Sequence, residues 1–172
     1  MLGQRVLDPD RLESSLPGTN GLGLLPVETA MLPEKETHQT LARLEEPGLI
    51  IAPGCSDVLT GYEIHMGCTN YTDTPRPFAR IFQRGGDSVN IEDGCVSVDG
   101  RIFGTYLHGI FDNARFRDLY LNRIRSEKGM PLQWEENREP RSDPFDLLSN
   151  HMEQHLDMPK LFEICGLSRD LA

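Results

Sequence analysis

Taken alone, the sequence predicts a fold in which strands come first and helices last, which is typical of the α+β class, and two patterns carry that prediction. Several segments up to residue 107 alternate apolar and polar residues with a period of two, which is typical of half-buried strands. After residue 112 the apolar residues recur at helical spacing. At 172 residues the chain is long enough to bury a core without disulfide or metal crosslinks.

The first predicted elements are the end of a helix and a series of strands. Residues 1–7 read as a helix end that Pro9 terminates, because proline disfavours helix in the residue before it. A loop over residues 10–23 follows. The next predictions are strands over residues 27–32, 36–44, 61–68 and 78–82.

A β-hairpin over residues 94–107 is the clearest local prediction. Apolar runs flank the pair Asp99 and Gly100 on both sides. An Asp-Gly pair in this position is typical of a type I′ turn, in which both central residues have positive φ.

Three helices are predicted after the hairpin. The first is capped by Asp112 or Asn113 and ends near Gly129. Ser142 and Pro144 open the second, because proline is favourable in a first turn. The third spans residues 158–165 and ends at a glycine.

The charge composition of the chain excludes some classes of binding partner. The chain has 17 basic and 27 acidic residues, a formal net charge of −10. A nucleic acid or an anionic membrane would need a basic face, so neither is an expected partner. Neither a transmembrane run nor a signal peptide is visible, and we expect a cytoplasmic protein.

The sequence shows no metal signature. Its four cysteines stand at positions 55, 68, 95 and 165 without a Cys-x-x-Cys pair, so buried, inert thiols are expected in the strand and helix patterns, and Cys55 falls in a turn. His151 and His155 lie four residues apart, but no glutamate follows the first histidine directly. A solvated helix face is therefore the favoured interpretation of this pair.

His108 is the candidate catalytic residue. It lies where the second hairpin strand ends and a loop leads into a helix, an edge at which α/β folds collect catalytic groups. Gly104 and Gly109 leave room for another group to approach. An imidazole in this position could accept the proton of a thiol and return it later. The alternative is a structural histidine that is hydrogen-bonded at a strand terminus.

Glu63 and His65 are further candidates. They lie two residues apart on a predicted strand and therefore share a face. There they would bind the amine and carboxylate of a substrate, or orient a partner imidazole. The alternative is the solvated polar face of an amphipathic strand.

Longer stretches carry a resemblance to a known family. The sequences GLGLLPVET at 21–29, GYEIHMG at 61–67 and DGRIFGTYLHGIFDN at 99–113, with residues 155–158 and 161–164, closely resemble the C-terminal glutamine amidotransferase domain of the cobyric acid synthase family. The resemblance covers nearly the whole chain. The related cobyrinic acid a,c-diamide synthases share the architecture but have a less similar histidine region.

The resemblance implies a mixed α/β fold: part of a class I, flavodoxin-like amidotransferase domain, with its later strands and C-terminal helices. In the family a cysteine nucleophile and a histidine base hydrolyse glutamine, and His108 matches that histidine. The ammonia serves an N-terminal synthetase domain, which uses ATP and Mg²⁺ to amidate the b, d, e and g carboxylates of adenosylcobyrinic a,c-diamide in cobalamin biosynthesis. No cofactor is expected in this chain itself.

This chain departs from the pattern of many class I amidotransferases after the histidine. Those enzymes carry Pro-Glu there, whereas Gly109 and Ile110 follow here. A dyad is therefore expected, with Glu63 or a backbone carbonyl orienting His108.

The nucleophile is the second departure. In the family the cysteine elbow runs into a helix that reads Gln-Met-Leu-Gly, and this chain opens with Met1-Leu2-Gly3. We therefore expect residues 1–172 to be a C-terminal portion of the domain, with the elbow and the synthetase domain upstream, and to be inactive alone. The alternative is a non-catalytic amidotransferase-like module that binds a corrinoid enzyme.

Overall fold

The period-two segments of the sequence form strands, as predicted. The computed structural model describes residues 1–51, 58–134 and 143–167, and the chain divides into two units, Met1–Glu135 and Glu136–Ala172. The described part of the first unit holds strands and helices together, so the predicted mixed α/β fold is confirmed.

In chain order, the strands of the first unit are β1 (Arg5–Leu7), β2 (Gly18–Asn20), β3 (Val27–Leu44), β4 (Val58–Tyr71), β5 (Ala79–Arg84), β6 (Asp87–Asp93), β7 (Cys95–Val96), β8 (Phe103–Gly104) and β9 (Leu107–His108). Its helices are α1 (Pro47–Ile50) and α2 (Ala114–Glu127), and a 3-10 turn covers Ile110–Asp112. The second unit holds α3 (Pro144–His155) and α4 (Met158–Cys165).

The long strand β3 organises a seven-stranded sheet among the described residues. It pairs in parallel with β1 and antiparallel with β4 and β5. The sheet continues from β1 to β2, from β4 to β9 and from β5 to β6, and each of these pairs is antiparallel. Strands β7 and β8 form a separate two-stranded ribbon.

The main core of the first unit anchors the chain on both sides of His108. Phe78 and Phe116, which are 0% and 1% exposed, meet edge to face with ring centroids 6.4 Å apart. Leu107 and Ile110 are buried in the same cluster. Burying a large apolar side chain contributes about 2 kcal/mol, so each flank of His108 is held by the core.

The predicted helix end over residues 1–7 is wrong, because Arg5–Leu7 forms strand β1. Arg5 pairs with Glu28 of β3 and with Asn20 of β2. Both partners are distant in sequence, and such pairing overrides local helix preference. The two strands predicted over 27–32 and 36–44 are one strand, β3, with an irregular register between Met31 and Glu36.

A hairpin after residue 94 is confirmed, but it is shorter than predicted and its turn is not type I′. Its strands β7 and β8 end at Gly104, and the predicted strand end at Leu107 and His108 is a separate strand that pairs with β4. Gly100 has φ +68, while Asp99 is not among the described residues with positive φ. Gly100 N–H donates to the Ser97 carbonyl at 2.9 Å. A turn with two positive φ values lies instead at Gly85 and Gly86, with φ of +59 and +100, and it joins β5 to β6, a strand that the sequence analysis missed.

The three predicted helices are confirmed within the described residues. Gly129, with φ +65, follows α2, and Gly166, with φ +67, ends α4. Asp143 caps α3 by accepting from Phe145 N–H at 2.8 Å, whereas the predicted cap Ser142 lies outside the described residues. No helix in the described parts of the chain is long and apolar enough to cross a membrane.

Candidate active site

His108 is the last residue of β9, and its backbone is held by β4. Tyr62 pairs with His108 and Glu63 with Leu107. Gly109 follows with φ +77 and turns the chain into the 3-10 segment. The His108 side chain is exposed and has no hydrogen bond to any described residue. The role of His108 as the catalytic base stays a prediction.

Glu63 lies in a buried ion cluster that the sequence analysis did not foresee. Its side chain is 4% exposed and accepts from Arg84 Nε at 2.8 Å and from Arg84 Nη2 at 2.5 Å. Charge-assisted bonds in this two-point geometry are stronger than neutral ones. The alternative of a solvated polar strand face is therefore wrong for Glu63. Arg84, on β5, carries no local signal that would have predicted the pair.

His65 completes the cluster. Its Nε2 lies 3.0 Å from Glu63 Oε1, and its Nδ1 lies 2.7 Å from the Gly67 carbonyl. The ring stacks on Tyr106 with centroids 4.3 Å apart. With both ring nitrogens and one ring face engaged, His65 is held in place by its neighbours.

The sheet register separates the ion cluster from His108. Directly paired residues of an antiparallel ladder share a face, and successive residues alternate between faces. Glu63 shares a face with Leu107, and Tyr62 shares the opposite face with His108. The structure thus brings Glu63 and His65 together with Arg84, and it does not bring them to the imidazole of His108.

The ion cluster lines a cavity of about 290 Å³, which also includes Asp93 and Tyr106. Burial raises the pKa of Asp93, although a bond from the Thr105 hydroxyl and one from Tyr106 N–H at 3.1 Å act in the other direction. The Tyr106 and Thr69 hydroxyl oxygens are hydrogen-bonded to each other at 2.6 Å. The lining combines acidic side chains with apolar ones, and the Glu63 carboxylate in it is already paired with Arg84 and His65.

Neither Cys68 nor Cys95, the described cysteines of the first unit, hydrogen-bonds to His108. Burial raises the pKa of the Cys95 thiol, which disfavours the reactive thiolate. Cys68 lies on β4 six residues from Tyr62, roughly 20 Å along the strand. Cys68 and Cys165 are exposed, so the prediction that these two thiols are buried is wrong. Cys55 lies outside the described residues.

The described residues contain no cluster of three or more His, Cys, Asp or Glu side chains that could hold a metal ion. The rings of His151 and His155 stack with centroids 4.2 Å apart, and His155 Nδ1 lies 2.8 Å from the His151 carbonyl. The pair therefore forms its contacts within α3, and the absence of a metal site stays a prediction.

Comparison with known proteins decides the family. Residues 1–116 match the family described as the CobB/CobQ-like glutamine amidotransferase domain. The chain belongs to this family. The segments at 61–67 and 99–113, with His108, lie inside the matched region. The resemblance that these motifs indicate is therefore confirmed.

Curated relatives extend the match over nearly the whole chain. A cobyric acid synthase of Caldanaerobacter subterraneus subsp. tengcongensis is 40% identical over 173 residues, which cover 99% of this chain and 34% of that protein. One from Moorella thermoacetica is 36% identical over 176 residues, covering 99% and 33%. One from Chloroflexus aurantiacus is 42% identical over 154 residues, covering 88% and 29%. The chain spans about a third of the length of these relatives.

Proposed function

We propose that this chain provides the histidine base of a glutaminase site in a cobyric acid synthase. The observation that carries the proposal is the state of His108: its backbone is anchored by β4 and by the core on both sides, while its imidazole is exposed and free of partners among the described residues. A general base needs this combination, because the ring must stay in place and remain able to take a proton.

In the proposed reaction, a cysteine thiolate attacks the carboxamide carbon of glutamine. His108 accepts the thiol proton and donates it to the departing ammonia, which leaves a thioester. Water, activated by the same imidazole, then releases glutamate and restores the thiol. Backbone N–H groups beside the nucleophile stabilise the oxyanion, and each contributes about 3 kcal/mol in comparable sites. The nucleophile is proposed to come from outside the described residues.

The ammonia is proposed to serve the family's ATP- and Mg²⁺-dependent amidation of the b, d, e and g carboxylates of adenosylcobyrinic a,c-diamide. The synthetase part would belong to the two thirds of the relatives' length that this chain does not span. No described residue of this chain is assigned to ATP, Mg²⁺ or the corrinoid. We propose a cytoplasmic location, in keeping with this biosynthetic role.

The test uses the complete enzyme, meaning this chain joined to the counterpart of the remaining two thirds of its relatives. His108→Ala should abolish amidation supported by glutamine and leave amidation supported by free ammonia within about twofold, because ammonia bypasses the glutaminase step. His38→Ala is the matched control, since His38 is bound to Glu36 on β3 at 2.6 Å. It should leave both activities intact.

Equal loss with both nitrogen donors would contradict the role of His108. A complete enzyme that amidates with ammonia but never with glutamine, even with His108 in place, would instead support a non-catalytic amidotransferase-like module.

A further inference from the structure

The ladder that holds His108 is short. It consists of two residue pairs, Tyr62 with His108 and Glu63 with Leu107. Continued in the same register, the next residues of β4 would face positions 109 and 110. The chain cannot continue as a strand there, because Gly109 adopts φ +77 and the 3-10 turn begins at Ile110. Without a substitute, the N–H and carbonyl groups of Thr60 on the β9 side of β4 would have no hydrogen-bond partner.

The side chain of Asn113 takes the place of the missing strand residue. Its Oδ1 accepts from Thr60 N–H at 3.0 Å and from the Thr60 hydroxyl at 3.0 Å. Its Nδ2 donates to the Thr60 carbonyl at 2.9 Å. A carboxamide carries the same donor and acceptor as a peptide unit, so it satisfies both backbone groups of Thr60.

The same amide also holds the two residues that follow His108. Asn113 Nδ2 lies 3.0 Å from the Ile110 carbonyl and 3.4 Å from the Gly109 carbonyl. Asn113 occupies the N-cap position of α2, but its side chain makes no capping bond to the helix. The helix that carries Asn113 is itself fixed by the buried ring of Phe116.

We propose that Asn113 is a positioning residue for His108. By joining β4 to residues 109 and 110, its amide sets the point at which the chain leaves the sheet, and thereby the place and direction of the imidazole. The proposal rests on the function proposed above for His108. It assigns to Asn113 a role in glutamine hydrolysis through His108, without contact with the substrate.

A second asparagine on α2 provides a matched control. Asn122 is 5% exposed and makes the same two-point contact with a backbone: its Nδ2 donates to the Gln133 carbonyl at 2.8 Å, and its Oδ1 accepts from Gln133 N–H at 2.9 Å. It fixes the segment after α2 and has no contact with β4 or β9 among its hydrogen bonds to described residues. The two asparagines thus share chemistry and helix but differ in what they hold.

The experiment compares Asn113→Asp, Asn122→Asp and His108→Ala in the complete enzyme. Aspartate keeps the shape and the acceptor of asparagine but places a carboxylate oxygen against carbonyl oxygens. We expect Asn113→Asp to lower kcat with glutamine between about tenfold and a hundredfold, since a misplacement of about 1 Å costs that much in comparable enzymes. Amidation with free ammonia should stay within about twofold. Asn122→Asp should leave the glutamine-dependent kcat within about twofold, even where its melting temperature falls further.

If Asn113 only stabilised the fold, its substitution would not lower glutamine-dependent amidation selectively, and it would not shift the pH dependence of kcat/KM for glutamine. The limb of the profile of kcat/KM for glutamine that depends on His108 should shift in Asn113→Asp and stay in place in Asn122→Asp. Unchanged glutamine-dependent kcat in Asn113→Asp, or an equal loss in Asn122→Asp, would overturn the proposal.

If Asn113→Asp loses both activities because it misfolds, the Thr60→Val variant tests the proposal instead. It removes the hydroxyl contact and keeps the side-chain shape, so a smaller but selective loss with glutamine supports the proposal, and no selective loss overturns it. Retained glutamine-dependent activity in His108→Ala refutes the proposed function itself. Loss in His108→Ala without selective loss in the Asn113 and Thr60 variants refutes only the role of Asn113.

Discussion

At the scale of single residues, Glu63 shows how burial makes a polar side chain depend on its ion-pair partners. Its carboxylate is nearly inaccessible and is bound by Arg84 and His65. A buried ion pair is weak support for stability as a whole, but removal of one partner leaves an unpaired buried charge. The contribution of Glu63 is therefore best detected by breaking the pair from each side.

Glu63→Gln should lower the free energy of unfolding by about 2 kcal/mol, less than for a fully enclosed pair, because Arg84 is 23% exposed and reaches water. Arg84→Met should cost a similar amount. The double variant should be more stable than the sum of the two losses predicts, since neither charge is then left alone. Urea unfolding measures all three. A loss of glutaminase turnover at unchanged stability would contradict this and support a base-orienting role for Glu63.

At the scale of elements, two glycines on the same face of β4 set the distance between strands. A Cβ on Gly61 would lie 2.7 Å from the carbonyl oxygen of His108. A Cβ on Gly67 would lie 2.9 Å from a methyl group of Thr29 and 3.1 Å from the Ala30 carbonyl. Gly61 therefore permits the close approach of β9, and Gly67 the approach of β3.

Gly61→Ala should displace β9, whereas Gly67→Ala should displace β3. Both should lower the melting temperature, because overpacking is destabilising. Gly61→Ala alone should lower glutamine-dependent amidation by about tenfold or more while amidation with ammonia persists. The two rates, measured in the complete enzyme, give the result. Equal selective losses in both variants would show that strand spacing near His108 is not the cause.

The loop after β1 is built on a single carboxylate. Asp8 accepts from the N–H groups of Leu12 at 2.7 Å, Glu13 at 3.0 Å and Ser14 at 2.9 Å. Burial alone would raise the pKa of Asp8, but the three backbone bonds outweigh it and hold that pKa below its ordinary value. The folded chain therefore prefers the ionised form.

This preference predicts a pH dependence. The unfolded chain takes up a proton at the ordinary aspartate pKa of about 3.9, before the folded chain does. The stabilisation from Asp8 is thus complete above that pH and is lost as the pH falls through the lower folded pKa. Asp8→Asn should be less stable than wild type at neutral pH, and the difference should shrink in acid. Unfolding curves of wild type and Asp8→Asn from pH 7 to pH 3 test this, and a stability difference that does not shrink in acid would contradict it.

At the scale of the whole molecule, the arrangement around His108 predicts what the isolated chain does. A cysteine–histidine mechanism needs thiolate, base and oxyanion donors within hydrogen-bond reach. Among the described residues of the first unit, neither Cys68 nor Cys95 is hydrogen-bonded to His108. We expect the isolated 172-residue chain to release no glutamate from glutamine above the buffer rate, and the complete enzyme to do so. Hydrolysis by the isolated chain, lost in Cys55→Ser or Cys68→Ser, would contradict this expectation.

The features that could be predicted from the sequence are those that depend on residues close together in the chain. Strand β4, helix α2 and the glycine that ends α4 depend on residue period and on backbone freedom, which neighbours in sequence determine. His108 lies at a strand end as predicted, but β9 is a strand because it pairs with β4, which is distant in sequence. The motifs at 61–67 and 99–113 were sufficient to identify the family.

Tertiary structure alone decided the rest. Residues 5–7 became a strand because β3 and β2 offered partners far away in sequence. Glu63 is buried because Arg84, 21 residues later, comes to it, and Asn113 serves Thr60, 53 residues earlier, rather than its own helix. Hydrogen bonds and ion pairs between residues distant in sequence leave no periodic pattern and no local compositional signal. The sequence therefore determines which side chains can form them, but only the folded chain determines which of them do.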